Sequence, residues 1–122
     1  MRDTEPIGLA PGAALATPRS PSQHKVGFDR RELNLILSLY GRMVAQGEWR
    51  DYAIGFGREA AIFAVFRRTS ERPLYHIEKR PKLRARQGAY AVVSMTGFVL
   101  KRGPELAQVL RVFDKARFAL VE

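Results

Sequence analysis

The sequence predicts an α+β fold: a four-stranded antiparallel sheet with two helices on one face, in the order helix, four strands, helix. Three observations carry this reading. A run with helical apolar spacing opens the patterned part of the chain at residues 28–46. Four apolar stretches follow between Tyr52 and Lys101, joined by segments too short for parallel crossovers. A second helical stripe, Leu106, Val109, Leu110 and Phe113, comes after them.

The first helix has the clearest boundaries. Asp29 is a good N-cap, and Glu32 stands at N3, where its carboxylate completes a capping box. Phe28 and Leu33 occupy the two positions of a hydrophobic staple. Leu33, Ile36, Leu37, Tyr40 and Val44 follow helical spacing, and Gly47 suits the C′ position, so a helix is expected over about 30–46. Leu35 and Leu39 fall off the main stripe. The apolar surface is therefore wide, and these two leucines are the expected contact of a homodimer or of a second internal layer.

The strands come next. In 52–57 (YAIGFG) Tyr52, Ile54 and Phe56 alternate with Ala53, Gly55 and Gly57, giving one bulky face and one nearly bare one. Residues 61–68 (AIFAVFRR) are apolar on both faces, as in a central or helix-covered strand. Residues 74–79 (LYHIEK) form a third strand, and 90–101 (YAVVSMTGFVLK) read as one long fourth strand with a bulge at Gly97. Pro104 suits N1 of the second helix and Glu105 suits its dipole, so that helix is expected to run to about 116. Residues 1–25 contain four prolines and no apolar period; they read as a disordered tail ahead of a single domain, 26–122.

Composition narrows the function. Of the 122 residues, 46% are hydrophobic, enough for a core, and the net charge is +9. Such an imbalance costs self-repulsion in the folded state and points to an anionic partner: nucleic acid, an anionic membrane or an acidic protein surface. There are no cysteines, which excludes disulfides, thiolate zinc sites and a catalytic Cys, and fits a cytoplasmic protein. No apolar run is long enough to span a membrane as a helix.

The runs FDRRELNLILSLYGRMVAQGEWRDYAIGF, AIFAVFRR, PLYHIEKRP and SMTGFVLKRGPEL, in that order, resemble a small bacterial family of about this length, a domain of unknown function widespread in alphaproteobacteria. The resemblance covers about residues 28–120. It implies no activity, and no functional residue is carried over from it.

The residues offer little catalytic chemistry. His76 and Glu78 share one strand face, but no nucleophile accompanies them in a motif, and the cross-strand pairing role is the plainer one. With two histidines and no cysteines, neither a metal site nor a cofactor is expected, and the chain reads as non-enzymatic. The strongest handle is EKRPKLRARQGAY, residues 78–90. Between Arg67 and Arg86 lie eight cations and two acids, two thirds of the whole net charge. Lys79, Arg80, Lys82, Arg84 and Arg86 are the expected phosphate contacts for nucleic acid, with Arg67, Arg68, Lys101 and Arg102 secondary. In an extended loop Lys82, Arg84 and Arg86 would share a side, with Tyr75 and Tyr90 flanking the segment as stacking platforms. Lys101, Arg102 and Gly103 at the expected helix start form a second candidate anion site.

Overall fold

Helix α1, Arg30–Ala45, begins where its capping box predicts. The Asp29 carboxylate accepts the Glu32 N–H at 2.8 Å, and the Glu32 carboxylate accepts the Asp29 N–H at 2.8 Å, so two of the helix's orphan donors are satisfied reciprocally. Gly47 follows the helix with φ of 78°, the left-handed conformation that a C′ glycine adopts without strain. Phe28 and Leu33, the staple pair, are both buried. The computed structural model describes residues 8–11, 25–68 and 72–114.

Five strands, not four, make up the sheet between residues 51 and 103: β2 (Asp51–Phe56), β3 (Ala61–Phe66), β4 (Tyr75–Lys79), β5 (Tyr90–Ser94) and β6 (Val99–Gly103). A further short strand, β1 (Gly8–Pro11), pairs with the outer edge of β2. It lies within the stretch read from sequence as a tail; the rest of 1–24 falls outside the described residues. The strands stand in chain order and every pair is antiparallel. The expected single strand 90–101 is a hairpin instead. Gly97 takes φ of 95°, which closes a turn rather than a bulge, and its N–H donates to the Ser94 carbonyl at 2.9 Å. The irregularity lies between Val92 and Val93 on the β5 side of the β5–β6 pairing.

Helix α2, Leu106–Leu110, starts later than expected and is shorter. Pro104 sits outside it, because Gly103 is still paired with Tyr90 as the last residue of β6. A helical turn at 112–114 continues its direction, and the remainder of the expected helix lies outside the described residues.

Register separates the two faces of the sheet. Ile54, Phe63, Ile77 and Val92 face one another across β2 to β5, with Ala61 and Val65 on the same side. These residues join Leu33, Ile36, Leu39 and Met43 of α1 and Leu106, Val109, Leu110 and Phe113 in one apolar core. Both helices therefore cover this face, as the sequence predicts. Trp49, just before β2, closes the core and meets Phe113 edge-on at 5.1 Å. The opposite face carries small residues, Ala53, Gly55, Ala64 and Ala91, all buried and none of them part of that core.

Gly88 marks the tightest backbone approach. Its φ is 103°, and a Cβ there would stand 2.6 Å from the Gly103 carbonyl oxygen and 2.7 Å from the Gly103 Cα. The contact is backbone on backbone, so no flexible side chain can yield. Gly88→Ala is expected to combine left-handed strain with overpacking and to cost about 3 kcal/mol or more in denaturant unfolding. Gly41→Ala, where a Cβ meets nothing within 4 Å inside α1, is the control and should be neutral or stabilising.

Candidate basic interface

Strand β4 ends in two residues that point to opposite faces and organise the polar chemistry of the fold. Lys79 pairs in register with Ala61 and Tyr90, on the helix side. Its ammonium donates to Glu32 Oε1 at 2.8 Å and to the Gly27 carbonyl at 2.9 Å. The Tyr90 hydroxyl donates to the other Glu32 oxygen. Burial and this bond to Glu32 raise the Tyr90 pKa, so the phenol stays protonated as a donor. The same Glu32 that caps α1 thus ties the helix to β4 and β5.

Glu78 lies on the small-residue face, between Ile62 and Ala91 in register. It is buried and met by three basic side chains. Arg102 donates to Glu78 Oε2 at 3.1 Å, Arg80 donates to the same oxygen at 3.2 Å, and His76 Nε2 stands 3.5 Å from Oε1. Arg102 also donates to the Gly88 carbonyl at 3.4 Å, which ties β6 to the loop before β5. Burial alone pushes the carboxyl pKa up; the His76, Arg80 and Arg102 contacts outweigh it and hold the pKa at about 2. The arrangement is a closed ion-pair cluster, with its acid surrounded by three partners.

The nine cations singled out from sequence therefore divide. Lys79 and Arg102 are turned inward onto carboxylates, and Arg80 leans back onto Glu78 while remaining half-exposed. Lys82 makes an exposed pair with Glu59 at 3.3 Å. Arg84 and Arg86 are exposed and make no ion pair among the described residues. Arg67 and Arg68 are exposed after β3, at the opposite end of the sheet from the loop, and Lys101 is exposed on β6.

The loop itself is coiled, not extended. Pro81–Leu83 forms one 3₁₀ turn, and the Leu83 carbonyl accepts from the N–H groups of Arg86, Gln87 and Gly88 at 3.1, 3.0 and 2.8 Å. Proline at the start and consecutive i→i+3 bonds favour this coil over a strand-like loop, so Lys82, Arg84 and Arg86 do not form one extended row. The flanking tyrosines are not free platforms either. Tyr75 meets Phe113 edge-on at 5.1 Å, and Tyr90 is held by Glu32. The Lys101–Arg102–Gly103 anion site is not assembled as expected, since Arg102 serves Glu78 and Gly103 belongs to β6.

Leu39 is 4% exposed, and Leu35 packs half-buried against the same core, so the wide apolar surface of α1 is largely used within the chain. Both line a shallow groove of about 250 Å³ between α1 and α2, bordered by Arg42 and Arg111. Among the described residues no group of His, Cys, Asp and Glu has the arrangement of a metal site, and no helix is long and apolar enough to cross a membrane.

Fold and charge distribution together define a small α+β sheet protein with a coiled basic loop. Residues 26–110 match the family described as "Protein of unknown function (DUF2794)", and the chain belongs to that family. No curated protein and no solved structure gives a significant match.

The Glu78 cluster has a measurable signature. Its lowered pKa contributes stability that is fully present above about pH 4.5 and is lost as pH falls toward 2. Glu78→Gln should cost about 2–3 kcal/mol at pH 7, because it leaves the largely covered Arg102 guanidinium and the half-exposed Arg80 without their charge partner. It should also flatten the wild-type loss of stability between pH 5 and 2. Parallel pH profiles for the two proteins, by urea unfolding, would show that Glu78 is not the titrating group.

Proposed function

We propose that this domain is a non-enzymatic module that binds a polyanion, nucleic acid foremost, through the basic loop between β4 and β5. The observation that supports the reading most is the division of cations. The buried acids are already occupied by Lys79, Arg80 and Arg102, whereas Arg84 and Arg86 project from a hydrogen-bonded coil with no acid against them. A guanidinium held on an ordered backbone loses less entropy on meeting a phosphate than one on a floppy loop. Lys82, whose pair with Glu59 is exposed and weak, joins them. Arg67, Arg68 and Lys101 extend the positive field without sharing the loop. The inward-facing cations act indirectly, by fixing the loop's two ends through Glu32 and Glu78.

Retention of a mixed-sequence oligonucleotide across a salt series tests this. The wild-type chain should bind at low salt and weaken steeply as salt rises. The Lys82→Ser, Arg84→Ser, Arg86→Ser variant should lower the magnitude of the log–log salt slope by about 2 to 3, roughly one per lost phosphate contact. Equal binding by the two proteins, or no binding by either, defeats the reading.

A further inference from the structure

The end of the sheet away from the basic loop presents a different surface. Phe98 is 72% exposed, and Met95, Val99 and Leu100 around it are 51, 48 and 44% exposed. Among the described residues these are four of the six exposed large hydrophobics, and all belong to the β5–β6 hairpin. A cluster of this kind has a functional rather than a folding explanation, since each side chain would gain by burial.

Four hydrogen bonds hold the tip together. The Ser94 N–H donates to the Phe98 carbonyl at 2.8 Å, and the Gly97 N–H donates to the Ser94 carbonyl at 2.9 Å. The Phe98 N–H donates to the Ser94 hydroxyl at 3.2 Å, and the Ser94 and Thr96 hydroxyls bond to each other at 3.1 Å. Bonds of this kind lower the cost of moving a turn out of water, because each unpaired N–H or C=O carries a desolvation cost.

Cations border the tip. Strand directions place the end of β3 and the start of β4, the described ends of the connection between them, at the same end of the sheet as the β5–β6 turn, with β4 and β5 neighbours about 5 Å apart. That connection carries Arg67 and Arg72, both exposed, and Arg50 precedes β2 at the same end. Of the acids described toward that end, Glu48 and Asp51 are half-buried, the Asp51 carboxylate accepting its neighbour's N–H at 2.8 Å, and the exposed Asp114 pairs with Arg42 at 3.4 Å. Addition of a strand to β6 fits less well. The register shift beside Val93 and the exposed Lys101 blunt that edge in the manner of protected sheet edges.

We propose that the β5–β6 tip is an anchor for an anionic lipid surface: Met95, Phe98 and Leu100 enter the boundary between headgroups and acyl chains, while Arg67 and Arg72 engage lipid phosphates. An exposed apolar tip with guanidinium groups at the same end of the sheet matches that interface in apolar character and charge. The anchor uses the opposite end of the sheet from the basic loop and shares only Arg67, a secondary contact, with the nucleic-acid reading.

Co-sedimentation of the full chain with vesicles tests it, using phosphatidylcholine alone and phosphatidylcholine mixed with phosphatidylglycerol. The wild type should partition onto the mixed vesicles and on the order of tenfold less onto the neutral ones. Phe98→Ser with Leu100→Ser, both exposed positions, should keep the wild-type melting temperature and lose on the order of tenfold in partition. Arg67→Ser and Arg72→Ser should each cost about fivefold. The variant with Lys82, Arg84 and Arg86 changed to Ser should partition as the wild type does. The one native tryptophan, Trp49, is 2% exposed and will report little, so a Phe98→Trp variant should show a blue-shifted emission on mixed vesicles only. The anchor is overturned by failure to partition, by partition that survives loss of Phe98 and Leu100, or by an unshifted Phe98→Trp emission. Phe98-dependent self-association without lipid would overturn it equally, since the tip would then be a contact between copies of the chain.

Discussion

Glu78 and Lys79, adjacent at the end of β4, project to opposite faces of the sheet, and each closes a buried ion-pair cluster. Lys79 reaches Glu32 and so fastens α1 to the sheet. Glu78 gathers Arg80 and Arg102 and so fastens β6 and the start of the loop to β4. The alternation of side chains along a strand makes this possible without a turn or a crossover. Clusters of this type add little net stability over an apolar replacement, but losing one partner is costly, so they specify where elements meet more than how tightly they hold.

The same two contacts sort the molecule's charge. A chain of net charge +9 would be expected to spread its cations over solvent. Here the buried acids Glu32 and Glu78 take up Lys79 and Arg80 from the start of the conspicuous basic run, and the remainder, Lys82, Arg84 and Arg86, stand on the coil that follows. The other end of the sheet has a different character. There exposed arginines next to β2, β3 and β4 share the end of the sheet with the exposed apolar side chains of the β5–β6 turn. The two ends of a five-residue strand such as β4 are roughly 15 Å apart, which separates the basic loop from the apolar tip.

Much of the architecture was legible because it is local. The Asp29–Glu32 box, the Gly47 terminus and the stripe of Leu106, Val109, Leu110 and Phe113 are all written within a few residues and occur as read. The miscounted strand came from Gly97. A lone glycine in an apolar run reads equally as bulge or turn, and only the left-handed φ, with Ser94 closing the ring, decides it. Pro104 misled for a similar reason, since Gly103 still had a partner in Tyr90, thirteen positions earlier. The candidate site was legible as charge but not as function of each residue. The link from Lys79 to Glu32 spans 47 positions and that from Arg102 to Glu78 spans 24, and no periodicity encodes such pairs. Glu32 in particular reads completely as a helix cap, which conceals that it also receives Lys79 and Tyr90.

The division of cations into structural and outward-facing groups is most directly tested by neutralising them singly and measuring unfolding in urea at pH 7. Lys79→Met and Arg102→Gln each leave a buried carboxylate short of a partner and should each lower stability by about 2 kcal/mol or more. Arg84→Gln and Arg86→Gln should stay within about 0.5 kcal/mol of the wild type, as exposed substitutions away from special contacts do. Losses of similar size at all four positions, or larger losses at Arg84 and Arg86, would contradict the account.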